Sequence, residues 1–222
     1  MSKGINTTMF AHENQAKAEG FDLIIGIDEA GRGPLAGPVV AAAVYINDSN
    51  FACRIDDSKK LTHEQREEAL HEIIYKCDFG VGMMNENVID EHNILQATFM
   101  AMKAAVLDLS ANMPFEERTV CLLIDGNQFK CDLPYHSRTI TRGDAKSLSI
   151  ACASIIAKVT RDRLLVEFDK IFPQYGFAKH KGYCTREHQE AIIKHGLSPI
   201  HRRTFRAGSA TQEEEELMYE GE

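Results

Sequence analysis

Two nearly continuous apolar runs, each ending in an aspartate, constrain this chain most. The first is LIIGID at residues 23–28 and the second is VCLLID at residues 120–125. Short runs rich in aliphatic residues and bounded by turn formers are typical of strands buried on both faces of a parallel sheet. Ligands gather beyond the carboxyl ends of such strands. If the two strands are neighbours, we therefore expect Asp28 and Asp125 to lie side by side.

The remaining periodicity predicts an α/β fold with a mixed five-stranded central sheet flanked by helices. The first three strands follow short connections and should be antiparallel, whereas the later ones follow a long helix and should run parallel to the first. Thr62 and Gln65 form a capping-box pattern, and Asp90 is the expected cap of the next helix. Further strands are predicted at 39–46, 79–84 and 137–141, and helices at 62–75, 93–109, 147–170 and 185–194.

A chain of 222 residues suits one main domain. We expect this domain to span residues 21–206, between an N-terminal extension at 1–20 and an acidic, disordered tail at 207–222. The extension lacks the apolar run of a secretory signal, and no stretch of 18 apolar residues occurs anywhere. The sequence thus predicts a cytoplasmic protein without a membrane-spanning helix.

The net charge of −8 is unevenly distributed along the chain. Residues 1–127 contain 10 Lys and Arg against 20 Asp and Glu, whereas residues 128–210 contain 15 against 7. The segment 211–222 adds 6 acids and no base. This asymmetry favours one basic face for a polyanion, although charge runs are more often plain solvated surface.

Two further acids can join the pair at the strand ends. Glu29 directly follows Asp28, and Asp144 follows another short predicted strand. Four converging carboxylates repel one another, and hard divalent cations such as Mg²⁺ or Mn²⁺ relieve that repulsion. For Asp28 alone, a simple strand-end turn is the more common explanation. The explanation weakens for the set, because two independent strands end in the same way.

Gly31, Arg32 and Gly33 invite comparison with the dinucleotide-binding fingerprint, but the fit is poor. Pro34 and Pro38 interrupt the motif, and a strand follows where the fingerprint needs a helix. Glycines here instead let the backbone approach a ligand closely and present N–H groups to its oxygens.

A second candidate metal site consists of His180, Cys184 and His188, with His195 beyond. The spacing would suit zinc on a continuous helix, but Gly182 opposes that helix. The six cysteines include no CxxC pair, and we interpret them as free residues rather than a disulfide framework.

Seven segments together resemble bacterial ribonuclease HII. They are GIDEAGRGPLAGPV (26–39), DSKKL (57–61), IDG (124–126), GDAKS (143–147), ASIIAKVTRD (153–162), HKGY (180–183) and PIHRR (199–203). The resemblance covers residues 21–206 and implies a ribonuclease H-like catalytic domain there. Cys184 departs from the family pattern, in which glycine or proline is expected, and this questions the local backbone.

The resemblance also implies an activity. Relatives hydrolyse the RNA strand of RNA–DNA hybrids and nick duplex DNA 5′ to an embedded ribonucleotide, leaving 3′-hydroxyl and 5′-phosphate ends. They use two Mn²⁺ or Mg²⁺ ions on carboxylates that match Asp28, Glu29, Asp125 and Asp144. They act alone, so we expect a monomer without an obligate protein partner.

The same resemblance suggests how substrate is read. The backbone matching Gly31, Arg32 and Gly33 contacts the 2′-hydroxyl, and the tyrosine matching Tyr183 stacks on the neighbouring deoxyribose; packing is the ordinary alternative for this tyrosine. Phosphate contacts are expected from basic residues: Lys59, Lys60, Lys146 and Lys181, with Lys158, Arg202 and Arg203 as further candidates. Two rival hypotheses are a DNA-cutting two-metal nuclease of the same superfamily and a non-catalytic nucleic-acid binding module.

Overall fold

A five-stranded mixed sheet lies at the centre of the computed structural model, which describes residues 7–115 and 119–205. The strand order is β3-β2-β1-β4-β5. β2 pairs antiparallel with β1 and β3, whereas β4 pairs parallel with β1 and β5. The predicted fold class and strand directions are confirmed. The strands are β1 (Leu23–Ala30), β2 (Val39–Ile46), β3 (Cys77–Met84), β4 (Val120–Asp125) and β5 (His136–Ile140).

Three of the predicted helix starts are confirmed by their caps. Thr62 and Gln65 form the reciprocal capping box, and the side chains of Ser147 and Thr185 each accept a backbone N–H three residues later. The helices are α1 (Ala11–Ala18), α2 (His63–Lys76), α3 (Glu86–Asn112), α4 (Leu148–Ile171), α5 (Phe177–His180) and α6 (Arg186–His195).

The helix predicted at 93–109 is the second part of a longer helix, α3, whereas the prediction of Asp90 as its cap is wrong. The helix begins at Glu86 with Asn85 as its cap, and it is interrupted at Asn93, where φ is +67°. The Asn93 side chain accepts the N–H groups of the following turn. Asp90 caps no helix; its carboxylate instead accepts the backbone N–H groups of Arg203 and Thr204. A contact 113 residues away in sequence therefore decides the role of Asp90.

Helices cover both faces of the sheet because the strands are apolar on both faces. Val39, Ala41 and Ala43 pack with α3, whereas Ala42 and Val44 pack with α2 and α4. Two glycines of β3 allow α3 to approach closely. A Cβ atom at Gly82 would lie 2.0 Å from the carbonyl oxygen of Ala101.

α3 is also the one described helix that is long and apolar enough to span a bilayer by length and composition. Its mean hydropathy reaches 1.3 over its most apolar 18 residues. This composition has a local explanation, because Ala97, Ala101, Ala105 and Leu109 are fully buried against the sheet.

The predicted N-terminal extension contains α1, which contacts the main domain. The buried Glu13 carboxylate accepts hydrogen bonds from the hydroxyls of Ser147 (2.6 Å) and Ser149 (2.8 Å) at the start of α4. The predicted acidic tail at 207–222 lies outside the described residues, as do residues 1–6.

Candidate active site

The two strand-end aspartates lie on adjacent parallel strands, as predicted. Ile27 of β1 is in register with Ile124 of β4, so Asp28 and Asp125 occupy the next position on each strand. Asp28 is buried, and its Oδ1 accepts the N–H of Glu29 at 2.7 Å. The sheet therefore brings three acids to one edge.

A hydrogen bond attaches Asp144 to the same edge. Asp144 lies in a 3₁₀ turn (Gly143–Ala145) that follows β5. The N–H of Gly143 donates to Asp125 Oδ1 at 2.6 Å, which fixes this turn against the end of β4. A Cβ atom at Gly143 would lie 2.6 Å from Ile150, so glycine allows the turn to pack this closely.

Burial and the charges of neighbouring acids raise the pKa values of Asp28, Glu29 and Asp144. Burial raises the pKa of Asp28 well above its ordinary value, and the charges of Glu29, Asp125 and Asp144 raise it further. Burial also raises the pKa of Glu29, against the opposing effect of Arg32, whose Nη1 lies 3.2 Å from Glu29 Oε1. Burial, Asp57 and Asp125 raise the pKa of Asp144 to about 6. The edge thus accumulates negative charge in a poorly solvated place.

Asp57 is the acid that the sequence analysis left unassigned. It lies close enough to Asp144 to share a hydrogen bond and to raise the pKa of that residue. Its own side chain accepts the N–H of Lys59 at 2.9 Å. The only signal in the sequence was its position at the start of the DSKKL segment.

The donor set suits a hard divalent cation, because it consists of carboxylate oxygens whose repulsion a cation would relieve. Among the described residues, no three His, Cys, Asp or Glu side chains already form a closed metal-binding cluster. One reason is visible in the contacts of the strand-end acids. Asp28 and Asp125 each direct an oxygen to a backbone N–H instead. We conclude that the residue types and their placement fit such ions.

The Gly31–Pro38 loop follows the first two acids and packs tightly. Gly31 has φ of +98°, a conformation that favours glycine, and a Cβ atom there would lie 2.1 Å from Arg161 Nε. Arg32 is exposed and Gly33 half-buried, whereas Gly31 before them and Pro34 after them are buried. Only the central two residues of this turn therefore reach the surface beside Glu29.

Tyr183 lies beside that loop on a second strained turn. Lys181 and Gly182, the two residues before it, have φ values of +50° and +84°. The carbonyl of Gly182 accepts the N–H of Leu35 at 2.8 Å, which joins the two turns. Cys184 does not have a positive φ, and its sulfur accepts a hydrogen bond from Gln189, so the backbone there does not require glycine.

The predicted phosphate-binding residues differ in their placement. Lys59 interacts electrostatically with the acids: burial alone would lower the pKa of Lys59, but Asp57, Asp144 and Asp28 raise it above the ordinary value. Lys60 pairs with Asp56, whereas the ammonium groups of Lys146 and Lys181 donate to backbone carbonyls.

The prediction is wrong for Arg202, which is only 2 % exposed and cannot reach a phosphate. Lys158 pairs with Asp162 at 2.9 Å, and burial lowers the pKa of Lys158. Arg203 is exposed.

The histidines of the zinc hypothesis form a hydrogen-bonded cluster instead. His188 Nδ1 lies 2.8 Å from the carbonyl oxygen of Tyr183, and His188 Nε2 lies 3.0 Å from Nε2 of His201. His180 stacks on His188 and bonds the carbonyl of Tyr175. Burial lowers the pKa of His188 and of His201 to about 4 in each case. These rings are engaged in the packing below Tyr183, a role that the spacing alone did not indicate.

Replacing Asp144 with asparagine should stabilise the metal-free protein near neutral pH. The folded-state pKa of Asp144 is raised from 3.8 to about 6. The folded protein therefore binds more protons than the unfolded chain in this interval, and stability is lost as the pH rises through about 6. A shift of about two units corresponds to about 3 kcal/mol, or a melting temperature higher by several degrees.

The measurement is thermal unfolding of wild type and Asp144→Asn with a chelator, at about pH 4.5 and about pH 7.5. The melting temperature of Asp144→Asn should exceed that of wild type at the higher pH, and this difference should be smaller at the lower pH. Asp48→Asn is the control, because Asp48 is an exposed carboxylate after β2. This variant should keep the wild-type melting temperature at both pH values. A variant less stable than wild type at the higher pH would contradict the assigned repulsion.

Comparison with known proteins identifies close relatives. The family model described as Ribonuclease HII matches residues 25–207. A protein of Acetivibrio thermocellus named Ribonuclease HII is 53% identical over 198 residues, which are 89% of this chain and 75% of that protein.

Solved structures agree with the fold. Ribonuclease H2 from Pyrococcus horikoshii OT3 aligns with a TM-score of 0.66 at 27% identity, over 89% of this chain and 99% of that one. Ribonuclease HII of Archaeoglobus fulgidus, solved in a complex with PCNA, aligns with a TM-score of 0.64 at 24% identity, over 86% of this chain and 99% of that one. Bst-RNase HIII in complex with Mn²⁺ aligns with a TM-score of 0.64 at 17% identity, over 89% of this chain and 79% of that one. The last two support the fold alone.

Proposed function

Because this chain belongs to the ribonuclease HII family of endoribonucleases, we propose that it nicks duplex DNA on the 5′ side of an embedded ribonucleotide. It also hydrolyses the RNA strand of RNA–DNA hybrids and leaves 3′-hydroxyl and 5′-phosphate ends. The single observation that supports this most is the convergence of Asp28, Glu29, Asp125 and Asp144 at one edge of the sheet.

These four carboxylates would hold two Mn²⁺ or Mg²⁺ ions. Bound there, the ions would supply Lewis-acid stabilisation of the charge that develops on the scissile phosphate and would favour deprotonation of the attacking water. Asp28 and Asp125 are fixed by the strands, and Gly143 N–H orients Asp125. The protein thus contributes a rigid anionic edge, so little reorganisation is needed when substrate arrives.

The Gly31–Pro38 loop beside the acids is the proposed element that distinguishes ribose from deoxyribose. Only the 2′-hydroxyl separates RNA from DNA at a given sugar. The backbone of Gly31, Arg32 and Gly33 is close to Glu29 and accessible at its centre. We assign to Tyr183, on the adjoining turn, the role of stacking on the neighbouring deoxyribose.

Basic side chains around the site would bind the phosphate backbone without reading its sequence. We assign this role to Lys59, Lys60, Lys146 and Lys181. Lys59 has the strongest support, because it lies within the electrostatic reach of Asp28 and Asp144.

We further propose that the protein acts in the cytoplasm as a monomer without an obligate partner. The Archaeoglobus fulgidus relative was solved in a complex with PCNA, so this part of the proposal has its own test. Cleavage by the purified chain alone is the relevant measurement.

The test is to map the cut on a DNA duplex that contains one ribonucleotide, with Mg²⁺ or Mn²⁺ and the purified protein. We expect a single nick on the 5′ side of the ribonucleotide and no product with a chelator. A matched all-DNA duplex is the control and should stay intact. Cleavage of that control would favour a DNA-cutting nuclease of the same superfamily. Binding that survives chelation without any cleavage would favour a non-catalytic module.

A further inference from the structure

Two buried arginines lie behind the Gly31–Pro38 loop, and neither forms an ion pair with a carboxylate within 4 Å among the described residues. Arg202 is 2 % exposed and donates hydrogen bonds to the carbonyls of Gly31 (2.5 Å), Arg32 (2.9 Å) and Gly37 (2.8 Å). The ring of Phe205 covers its guanidinium, with 4.9 Å from Cζ to the ring centre. Burial of a charged group costs free energy, and hydrogen bonds to the group reduce that cost.

Arg161 bonds a different part of the same region. Its three nitrogens donate at 2.9 Å to the carbonyls of Ala36, Pro38 and Lys181. It therefore joins the end of the loop to the turn that precedes Tyr183. Among the residues that the structure describes, only Arg202 binds the carbonyls of Gly31 and Arg32, which belong to the two peptide units at the exposed centre of the loop.

The orientation of those two carbonyls determines the orientation of two N–H groups. In a trans peptide, the C=O and N–H of one unit point in opposite directions, and the described chain contains no cis peptide. When Arg202 draws the carbonyls of Gly31 and Arg32 inward, the N–H groups of Arg32 and Gly33 must point outward. Within residues 7–115 and 119–205, neither N–H group has an acceptor.

We propose that Arg202 is a positioning residue for ribose selection: it holds two consecutive peptide units so that the N–H groups of Arg32 and Gly33 face the substrate sugar. This inference rests on the proposed function, because it assigns those donors to the 2′-oxygen. Arg202 itself does not touch substrate.

Arginine suits this role better than lysine. The planar guanidinium presents several N–H donors in a fixed geometry and can satisfy three carbonyls at once, whereas an ammonium group on a flexible chain cannot fix their directions. Backbone hydrogen bonds fix the position of Arg202. The carboxylate of Asp90 binds the N–H of Arg203, and the N–H of Arg202 itself donates to the carbonyl of Leu35.

The test compares Arg202→Lys with Arg161→Lys. Binding is measured by fluorescence anisotropy, with Ca²⁺ in place of the catalytic ions, on a duplex with one ribonucleotide and on the same duplex in all-DNA form. Two neutral hydrogen bonds correspond to a preference of about tenfold or more. We expect Arg202→Lys to lose most of this preference while its affinity for the all-DNA duplex stays unchanged.

Arg161→Lys is the matched control, because it removes an equally buried guanidinium that also bonds carbonyls of the Gly31–Pro38 loop. We expect it to lower the melting temperature but to keep the preference within about twofold of wild type. A merely structural role of Arg202 predicts the same pattern for both variants, and a folded Arg202→Lys with the wild-type preference would overturn the inference.

A second measurement needs no variant and remains decisive if Arg202→Lys does not fold. In NMR spectra of the wild-type protein, the amide resonances of Arg32 and Gly33 should shift when the ribonucleotide duplex binds and much less with the all-DNA duplex. Equal shifts with both duplexes would refute the inference. If the wild type neither prefers nor cleaves the ribonucleotide duplex, the proposed function itself is wrong.

Discussion

Asp28→Asn and Asp125→Asn should each reduce cleavage of a ribonucleotide-containing duplex by about 10³-fold or more while leaving the protein folded. Each ion that the carboxylates hold is expected to contribute several kcal/mol of transition-state stabilisation, and about 4 kcal/mol corresponds to three powers of ten in rate. Asparagine keeps the shape of aspartate but supplies a weaker, neutral oxygen to a cation.

The folding contacts of both residues survive the substitution. The amide oxygen of asparagine can still accept the N–H of Glu29 or of Gly143, as the aspartates do. Burial and three neighbouring acids raise the pKa of Asp28, so removing its charge relieves repulsion. We therefore expect an equal or higher melting temperature together with the loss of activity.

The measurement pairs single-turnover cleavage with thermal unfolding for each variant. Asp48→Asn provides the control, because Asp48 follows β2, which runs antiparallel to β1, and so lies at the other end of the sheet. It should cleave at the wild-type rate. Full activity in Asp28→Asn or Asp125→Asn would remove that residue from the proposed site.

Gly26→Ala should destabilise the protein by about 3 kcal/mol or more. Gly26 lies in the middle of β1, and a Cβ atom there would lie 2.1 Å from the carbonyl carbon of Ser149 and 2.3 Å from the nitrogen of Ile150. Both are backbone atoms, so no rotamer change can relieve the overlap. Overpacking in a core typically costs about 1–3 kcal/mol, and an overlap with a helix backbone belongs at the upper end.

The consequence should extend to the active site, because the first turn of α4 follows directly after the turn that holds Asp144. We expect a melting temperature lower by about 6–12 °C and a weaker response of stability to added Mn²⁺. Chemical denaturation and thermal unfolding measure the first effect, and a Mn²⁺ titration of the melting temperature measures the second.

Gly20→Ala is the matched control for this substitution. Unlike Gly26, Gly20 has a positive φ, of +95°, but no atom lies within 4 Å of the added Cβ. Only the backbone strain applies there, which costs about 1 kcal/mol. Equal losses at both positions would show that the contact between β1 and α4 is not the cause.

Much of the active site was predictable because its geometry follows from strand direction. Ile27 and Ile124 end two apolar runs, and the carboxyl ends of parallel strands meet at one edge of a sheet. The acids after them were therefore expected to be neighbours. Asp144 was expected to join them because it follows another predicted strand, whereas the contact of its turn with Asp125 is seen only in the structure.

The role of Arg202 was not predictable in the same way. Arginine is usually exposed, so a phosphate contact was the expected role of Arg202. Its burial depends on the meeting of residues 31–37 with residues 200–205, which are about 165–171 positions apart in the chain. Asp57 was missed for the same reason, since its proximity to Asp144 connects two distant loops.

The sequence by itself determined the strands, three of the helix starts and the edge at which the acids gather, because periodicity and capping act between residues that are close along the chain. Tertiary structure alone decided which polar groups are buried, where α3 begins and which way the loop after β1 turns its peptide units. Burial and hydrogen bonding of these groups depend on segments that meet only after the chain has folded.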